Sequence, residues 1–137
     1  MRIVFGDYFY FCLKIFFMNY EDLRDYCVSL KGVTEHFPFD EFSLVMKVQG
    51  KMFALLPLDN PETQIALKCD PERAIQLRDD FSAITAAYHF NKKHWNSVRV
   101  DPAISAKFMQ ELIRHSYDLV VDGLPKKLKE ELNIWND

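Results

Sequence analysis

The sequence predicts an α+β fold, an antiparallel sheet packed on one side by helices, and three features predict it. Apolar residues alternate on either side of Gln49-Gly50, the pattern of a hairpin. Other segments repeat apolar residues every three or four positions behind a capping residue, the pattern of amphipathic helices. The elements run helix, strands, helix, strand, helix, helix, without the strict strand–helix alternation of a parallel sheet.

The first helix starts at Asn19, a good N-cap, with Asp22 placed to reach back in a capping box. Tyr20, Leu23, Cys27 and Leu30 form its apolar face, and Gly32 stops it. Phe37-Pro38-Phe39 cannot continue a helix and predicts an extended turn. Phe42, Leu44, Met46 and Val48 then alternate as a half-buried strand. Gln49-Gly50 turns the chain into a second strand over 51–56, and residues 57–61 read as a loop. A third strand covers 64–68, with Ile65 and Leu67 on one face. Asp70-Pro71 caps and opens a short helix that carries Ala74, Ile75 and Leu77 to about Asp79. Residues 81–87 read as loop with a little strand, and 96–100 as strand with Val98 and Val100 on one face. Asp101-Pro102 repeats the cap-and-proline device before the longest helix, over 103–121. Ile104, Phe108, Leu112 and Ser116 lie on one face of that helix, flanked by Met109, Ile113 and Val120. Gly123 ends it, and Pro125 opens a last amphipathic helix over 126–134.

At 137 residues the chain is expected to form one domain with a sizeable core. Its net charge of −3 argues against strong nonspecific nucleic-acid binding, which needs a basic field, but leaves room for a local basic patch. Cys12, Cys27 and Cys69 are widely spaced and form no C-x-x-C pair, so reduced thiols of a cytoplasmic protein are expected.

Residues 1–17 differ in character from the rest. MRIVFGDYFYFCLKIFF is dense in aromatics but interrupted by Arg2, Asp7 and Lys14, which is unlike a membrane span. It has no small-residue cleavage site of a signal peptide. Met18 directly precedes the first helix cap. The expected organisation is therefore an N-terminal extension or mis-called start over 1–17 and the domain proper over 18–137. No membrane partner is expected, and the chain is read as a monomer.

One stretch stands out chemically: Tyr88-His89-Phe90-Asn91-Lys92-Lys93-His94-Trp95. Its aromatics can stack on flat ligands, its lysines can meet phosphate, and its histidines change charge near neutral pH. The bland alternative packs Trp95 and Tyr88 in the core and leaves Lys92 and Lys93 on a solvated turn ordered by Asn91. His89 and His94 are five apart, outside the spacings of three or four favoured by metal-binding helix pairs, so no metal site is expected. There is no G-x-S-x-G, no patterned cysteine, no Walker loop and no G-x-G-x-x-G, so neither a catalytic residue nor a cofactor is assigned. The acidic run of Glu35, His36, Asp40 and Glu41 reads as an exposed loop. Lys126, Lys127 and Lys129, beside Glu130 and Glu131, read as a solvated face.

From Met18 onward the chain resembles the MmcQ/YjbR family of small bacterial proteins. The resemblance rests on Leu30-Lys31-Gly32-Val33-Thr34-Glu35, Phe37-Pro38-Phe39-Asp40, Gly50-Lys51-Met52-Phe53-Ala54, Leu67-Lys68-Cys69-Asp70-Pro71, the octet at 88–95, and His115-Ser116-Tyr117-Asp118-Leu119-Val120. It implies a fold like that of CyaY, the bacterial frataxin. It also implies a DNA-binding role, a label drawn from a double-wing likeness to a phage transcription-factor domain, and no enzymatic activity. Iron binding is not carried over, because Arg24 interrupts Glu21, Asp22 and Asp25. The resemblance points to His89, Asn91, Lys92, Lys93, His94 and Trp95 as the binding surface of a small module. Lys92 and Lys93 would contact DNA phosphate, Asn91 would hydrogen-bond, and His94 or Trp95 would stack. The alternative is a small-molecule or protein-interaction module with a pocket beside Trp95 and His94.

Overall fold

The computed structural model describes residues 18–134. The proposed extension over 1–17, and Cys12 within it, lie outside the described residues. Ten elements follow in order: α1 (Tyr20–Ser29), β1 (Val33–His36), β2 (Ser43–Val48), β3 (Lys51–Pro57), β4 (Gln64–Lys68), α2 (Pro71–Asp80), β5 (Ile84–Ala86), β6 (Trp95–Arg99), α3 (Ala106–Asp122) and α4 (Lys126–Ile134). The strands form one antiparallel sheet in the order β1-β2-β3-β4-β6-β5. The α+β expectation holds.

Period-two alternation assigns the two faces of the sheet. Leu44, Met46, Val48, Leu56, Ile65, Leu67, Ile84 and Val98 are buried toward the helices. There they join Leu23 and Cys27 of α1, Ala74 and Leu77 of α2, and Met109, Leu112, Ile113 and Val120 of α3 in one core. Ser43, Leu55, Gln64, Ala66, Thr85 and Ser97 line a hollow on the opposite face. Phe53 and Tyr117 meet edge-to-face with ring centroids 5.5 Å apart, and the Tyr117 hydroxyl donates to the Lys31 carbonyl at 2.5 Å. Burial pushes the Cys27 thiol up to about 12, so it sits in the core as an unreactive apolar group.

The capping box at Asn19 is present: Asn19 Oδ1 accepts from the Asp22 N–H at 2.8 Å, and Asp22 Oδ2 accepts from the Asn19 N–H at 3.1 Å. Gln49 and Gly50 both take positive φ, 49° and 78°, as a two-residue hairpin requires. The Gln49 side chain donates to the Leu128 carbonyl at 2.9 Å and so ties the hairpin to α4.

Four details differ from the sequence reading. Residues 33–36, which carried no strand assignment, form the edge strand β1, and Glu35 there pairs with Arg24 of α1. Phe42 precedes β2 and is half-exposed, because Asp40 bends the chain just before it. Ile75 faces solvent at 58% exposure while Ala74 and Leu77 carry the buried face of α2. The long helix starts at Ala106 behind Ser105, whose hydroxyl accepts from the Phe108 N–H at 3.0 Å. Asp101 instead closes a local turn by accepting from the Ala103 N–H at 3.0 Å.

Ser116 explains a polar residue in the middle of an apolar helix face. The β3–β4 ladder covers only Ala54↔Leu67 and Leu55↔Ala66. Beyond it, the fully buried Ser116 hydroxyl donates to the Phe53 carbonyl at 2.5 Å and accepts from the Lys68 N–H at 2.9 Å. One side chain thus bridges two strands where their own hydrogen bonds stop. Ser116→Ala leaves a buried donor and acceptor without partners, a loss of about 1–3 kcal/mol. Urea unfolding should show that loss as a lower midpoint at unchanged slope.

The residue before it in α3, His115, accepts at Nε2 from the Asp70 N–H at 3.2 Å, so its neutral form is the one the fold uses. Desolvation, then the nearby Arg73 cation, lower its pKa from the ordinary 6.5, against the opposing pull of Asp70 and Asp118. A folded-state pKa below the unfolded one means this contribution is complete above about pH 6.5 and is lost as pH falls toward the folded value. Denaturation midpoints should drop through that mildly acidic window, and His115→Gln should flatten the drop.

Candidate functional site

The octet forms the connection from β5 to β6 and is held by its own hydrogen bonds. The Ala87 N–H donates to the Trp95 carbonyl at 3.1 Å and the Phe90 N–H to the Ala87 carbonyl at 3.1 Å. The Asn91 carbonyl accepts from the N–H groups of His94 and Trp95 at 3.0 and 2.9 Å. Asn91 Oδ1 accepts from the Lys93 N–H at 3.0 Å. The Cys69 N–H at the end of β4 donates to the His94 carbonyl at 2.7 Å, which pins the connection to the sheet.

Two aromatic pairs shape it further. Phe90 stacks on Trp95, with centroids 4.9 Å apart and planes 26° from parallel. Lys92 Nζ lies 5.0 Å from the centre of the Tyr88 ring, which is 75% exposed. Trp95 is half-buried on Phe90, whereas Tyr88 stands out in solvent. The two aromatics that were set together in the core reading therefore part company. Lys92 and Lys93 are exposed and make no ion pair among the described residues.

Beside the octet, the open face of the sheet is hollowed into a groove of about 800 Å³. Ser43, Leu55, Gln64, Ala66, Ser97 and Thr85 floor it, drawn from β2, β3, β4, β6 and β5. The Ser97 hydroxyl donates to Gln64 Oε1 at 3.0 Å across that floor. Tyr88, His89 and Phe90 form one wall; Phe39 and Asp40, with Asp59 and Asn60, form the other.

Asp40 builds its wall directly. Its Oδ1 accepts from the N–H groups of Phe42 and Ser43 at 2.8 and 2.6 Å, and its Oδ2 accepts from the Ser43 hydroxyl at 3.1 Å. These bonds hold its carboxyl below the usual carboxylate range, so it stays charged at neutral pH. They also fix the bend that leaves Phe37, Phe39 and Phe42 exposed at 52%, 69% and 50%. Among the described residues, the groove lining contains two carboxylates, Asp40 and Asp59, one imidazole, His89, and no lysine or arginine.

Of the six residues expected to form the binding surface, His89 lines the groove. Asn91 has its side-chain oxygen engaged in the turn, Lys92 lies over Tyr88, and Lys93 faces solvent. His94 and Trp95 are half-buried behind Phe90 and do not line it. The hollow expected beside Trp95 and His94 is one ring further out, against Phe90. The opposite wall was not expected from sequence. Its available signal was Phe37-Pro38-Phe39-Asp40, where large aromatics flank a proline and an Asx-turn residue.

Among the described residues no helix is long and apolar enough to cross a membrane. The family model described as YjbR matches residues 28–119. YbdF of Escherichia coli O157:H7 is 35% identical over 108 residues, which cover 79% of this chain and 88% of that protein. YjbR of Escherichia coli K12 is 28% identical over 115 residues, covering 84% and 98%. A crystal structure of a DUF419-domain protein from Deinococcus radiodurans superposes with a TM-score of 0.79 at 38% identity, covering 85% of this chain and 89% of that one. A crystal structure from Pseudomonas syringae gives 0.63 at 28% identity, covering 74% and 98%. The matched stretch runs from the end of α1 through most of α3 and so includes all six strands of the described sheet and both groove walls; the chain belongs to the YjbR family.

Proposed function

We propose that this chain is a small binding module whose ligand lies in the groove on the open face of the sheet, between Phe39 and the Tyr88–His89–Phe90 wall. The observation that carries this reading is a concave surface of about 800 Å³, bordered on both sides by aromatics, on a face that none of the described helices covers. Ligand sites commonly have volumes of roughly 300–1,000 Å³, with apolar walls and a few fixed polar groups. Ser97, Gln64 and Asp40 are such groups, each already oriented by a hydrogen bond.

Duplex DNA binding remains the second reading, and one observation favours it: Lys92 and Lys93 project from a tight turn free of ion pairs among the described residues. Its ligand would sit outside the groove, whose two carboxylates repel phosphate. Such binding would be weak and steeply salt-dependent.

The two readings separate in one set of titrations. A fragment collection is screened against the ¹⁵N-labelled protein by amide shift changes, and labelled duplex is titrated at low salt. Thr85→Trp, which fills the trough from β5, should weaken fragment binding by about tenfold or more, a change of ~1.4 kcal/mol. Lys93→Ala should leave it unchanged. Loss of duplex binding in Lys92→Ala/Lys93→Ala, together with fragments indifferent to Thr85→Trp, would overturn the groove reading in favour of DNA.

A further inference from the structure

Resting on the groove reading, we infer that the occupant is an extended polypeptide segment of about six residues that combines apolar or aromatic side chains with lysine or arginine. The length comes from the sheet. The floor residues run from β2 to β5 across the strand order β2-β3-β4-β6-β5. Four inter-strand gaps of ~4.8 Å make a trough about 19 Å long, the span of roughly six extended residues. A compact small molecule would occupy only part of it.

The chemistry comes from the walls. Phe39 and Tyr88, at 69% and 75% exposure, face water from the two sides of the trough. Exposed aromatics at a concave margin are anchors for apolar side chains. The charged members of the lining, Asp40 and Asp59, lie on the Phe39 wall, and among the described residues no lysine or arginine lines the groove to neutralise them. An occupant carrying a cation is therefore attracted, and one carrying phosphate or carboxylate is repelled.

The trough also runs across the strands, not along an edge, so the segment does not join the sheet by strand addition. Selectivity then resides in its side chains and not in its backbone. That places the cationic residue at the Asp40–Asp59 wall and an apolar residue against Tyr88 and Phe90.

The test titrates the ¹⁵N-labelled protein with two pools of capped hexapeptides built from Gly, Ser, Leu and Phe, one including Lys and the other Glu. The lysine pool should shift the amides of Ala66, Thr85, Ser97 and Tyr88. It should bind about tenfold more tightly than the glutamate pool, the factor that ~1.4 kcal/mol of charge attraction gives. Salt should narrow that gap, and Asp59→Lys should abolish or reverse it while leaving the dispersion of the spectrum intact. Equal affinity for the two pools overturns the inference, as do shifts confined to residues 91–94. Shifts that follow protein concentration and ignore peptide also overturn it, because a second copy is then the occupant. If fragments blocked by Thr85→Trp bind but neither pool does, the peptide inference falls and the groove reading stands; if nothing enters the groove, both fall.

Discussion

Three consecutive N–H groups at the end of β4 hold the octet, the sheet and the long helix together. The Lys68 N–H goes to Ser116 of α3, the Cys69 N–H to the carbonyl of His94, and the Asp70 N–H to His115 of α3. The Lys68 N–H has no ladder partner in β3, which has already diverged from β4 at this point, whereas the Cys69 bond continues the β4–β6 pairing beyond Lys68↔Trp95. Two of the bonds fasten the sheet to the long helix, and the middle one fastens the octet to the sheet. The position of the octet relative to the core therefore depends on α3, although α3 lies on the far side of the sheet from the groove.

The groove follows from one-sided packing. Every helix contributing to the core packs on the face that carries Met46, Leu56, Ile65 and Val98. On the other face the floor is mostly small or polar, with Ser43, Ala66, Thr85 and Ser97 beside Leu55 and Gln64, while the aromatic rings stand at the margins. A floor with no aromatic side chain between aromatic walls is concave by side-chain volume. Asp40 contributes twice, because the hydrogen bonds that set the bend before β2 also keep its carboxylate ionised.

Elements with strong periodicity or a side-chain cap were legible in the sequence. The capping box at Asn19, the Gln49-Gly50 hairpin and the Asp70-Pro71 helix start are local devices, and each is found where its residues lie. The edge strand β1 was not legible, because Thr34, Glu35 and His36 are all exposed and only pairing with β2 makes them a strand. The start of α3 was misplaced because Asp101-Pro102 and Ser105 compete as caps, and the Asp101 side chain is spent on a turn. For the site, the octet drew notice through its chemistry, yet its role divided along the chain. Residues 88–90 reach the groove, whereas 91–95 mainly build the turn. The Phe39–Asp40 wall is adjacent only in space, through the strand order, and no local pattern announces that it faces Tyr88.

The rigidity of the octet bears on which of its residues can recognise anything. Asn91 accepts three backbone N–H groups between its carbonyl and its side chain, and the His94 carbonyl is committed to Cys69. Phe90 is held against Trp95 by stacking, so the wall it forms exists before any ligand arrives. Among the described residues Tyr88 has no such partner ring; its contact is the Lys92 ammonium, worth about 0.5–1 kcal/mol at an exposed site. That is small enough for an incoming aromatic or cationic group to displace. The fixed ring and the weakly held one thus sit on the same wall, one setting the shape of the groove and the other exposed beside it.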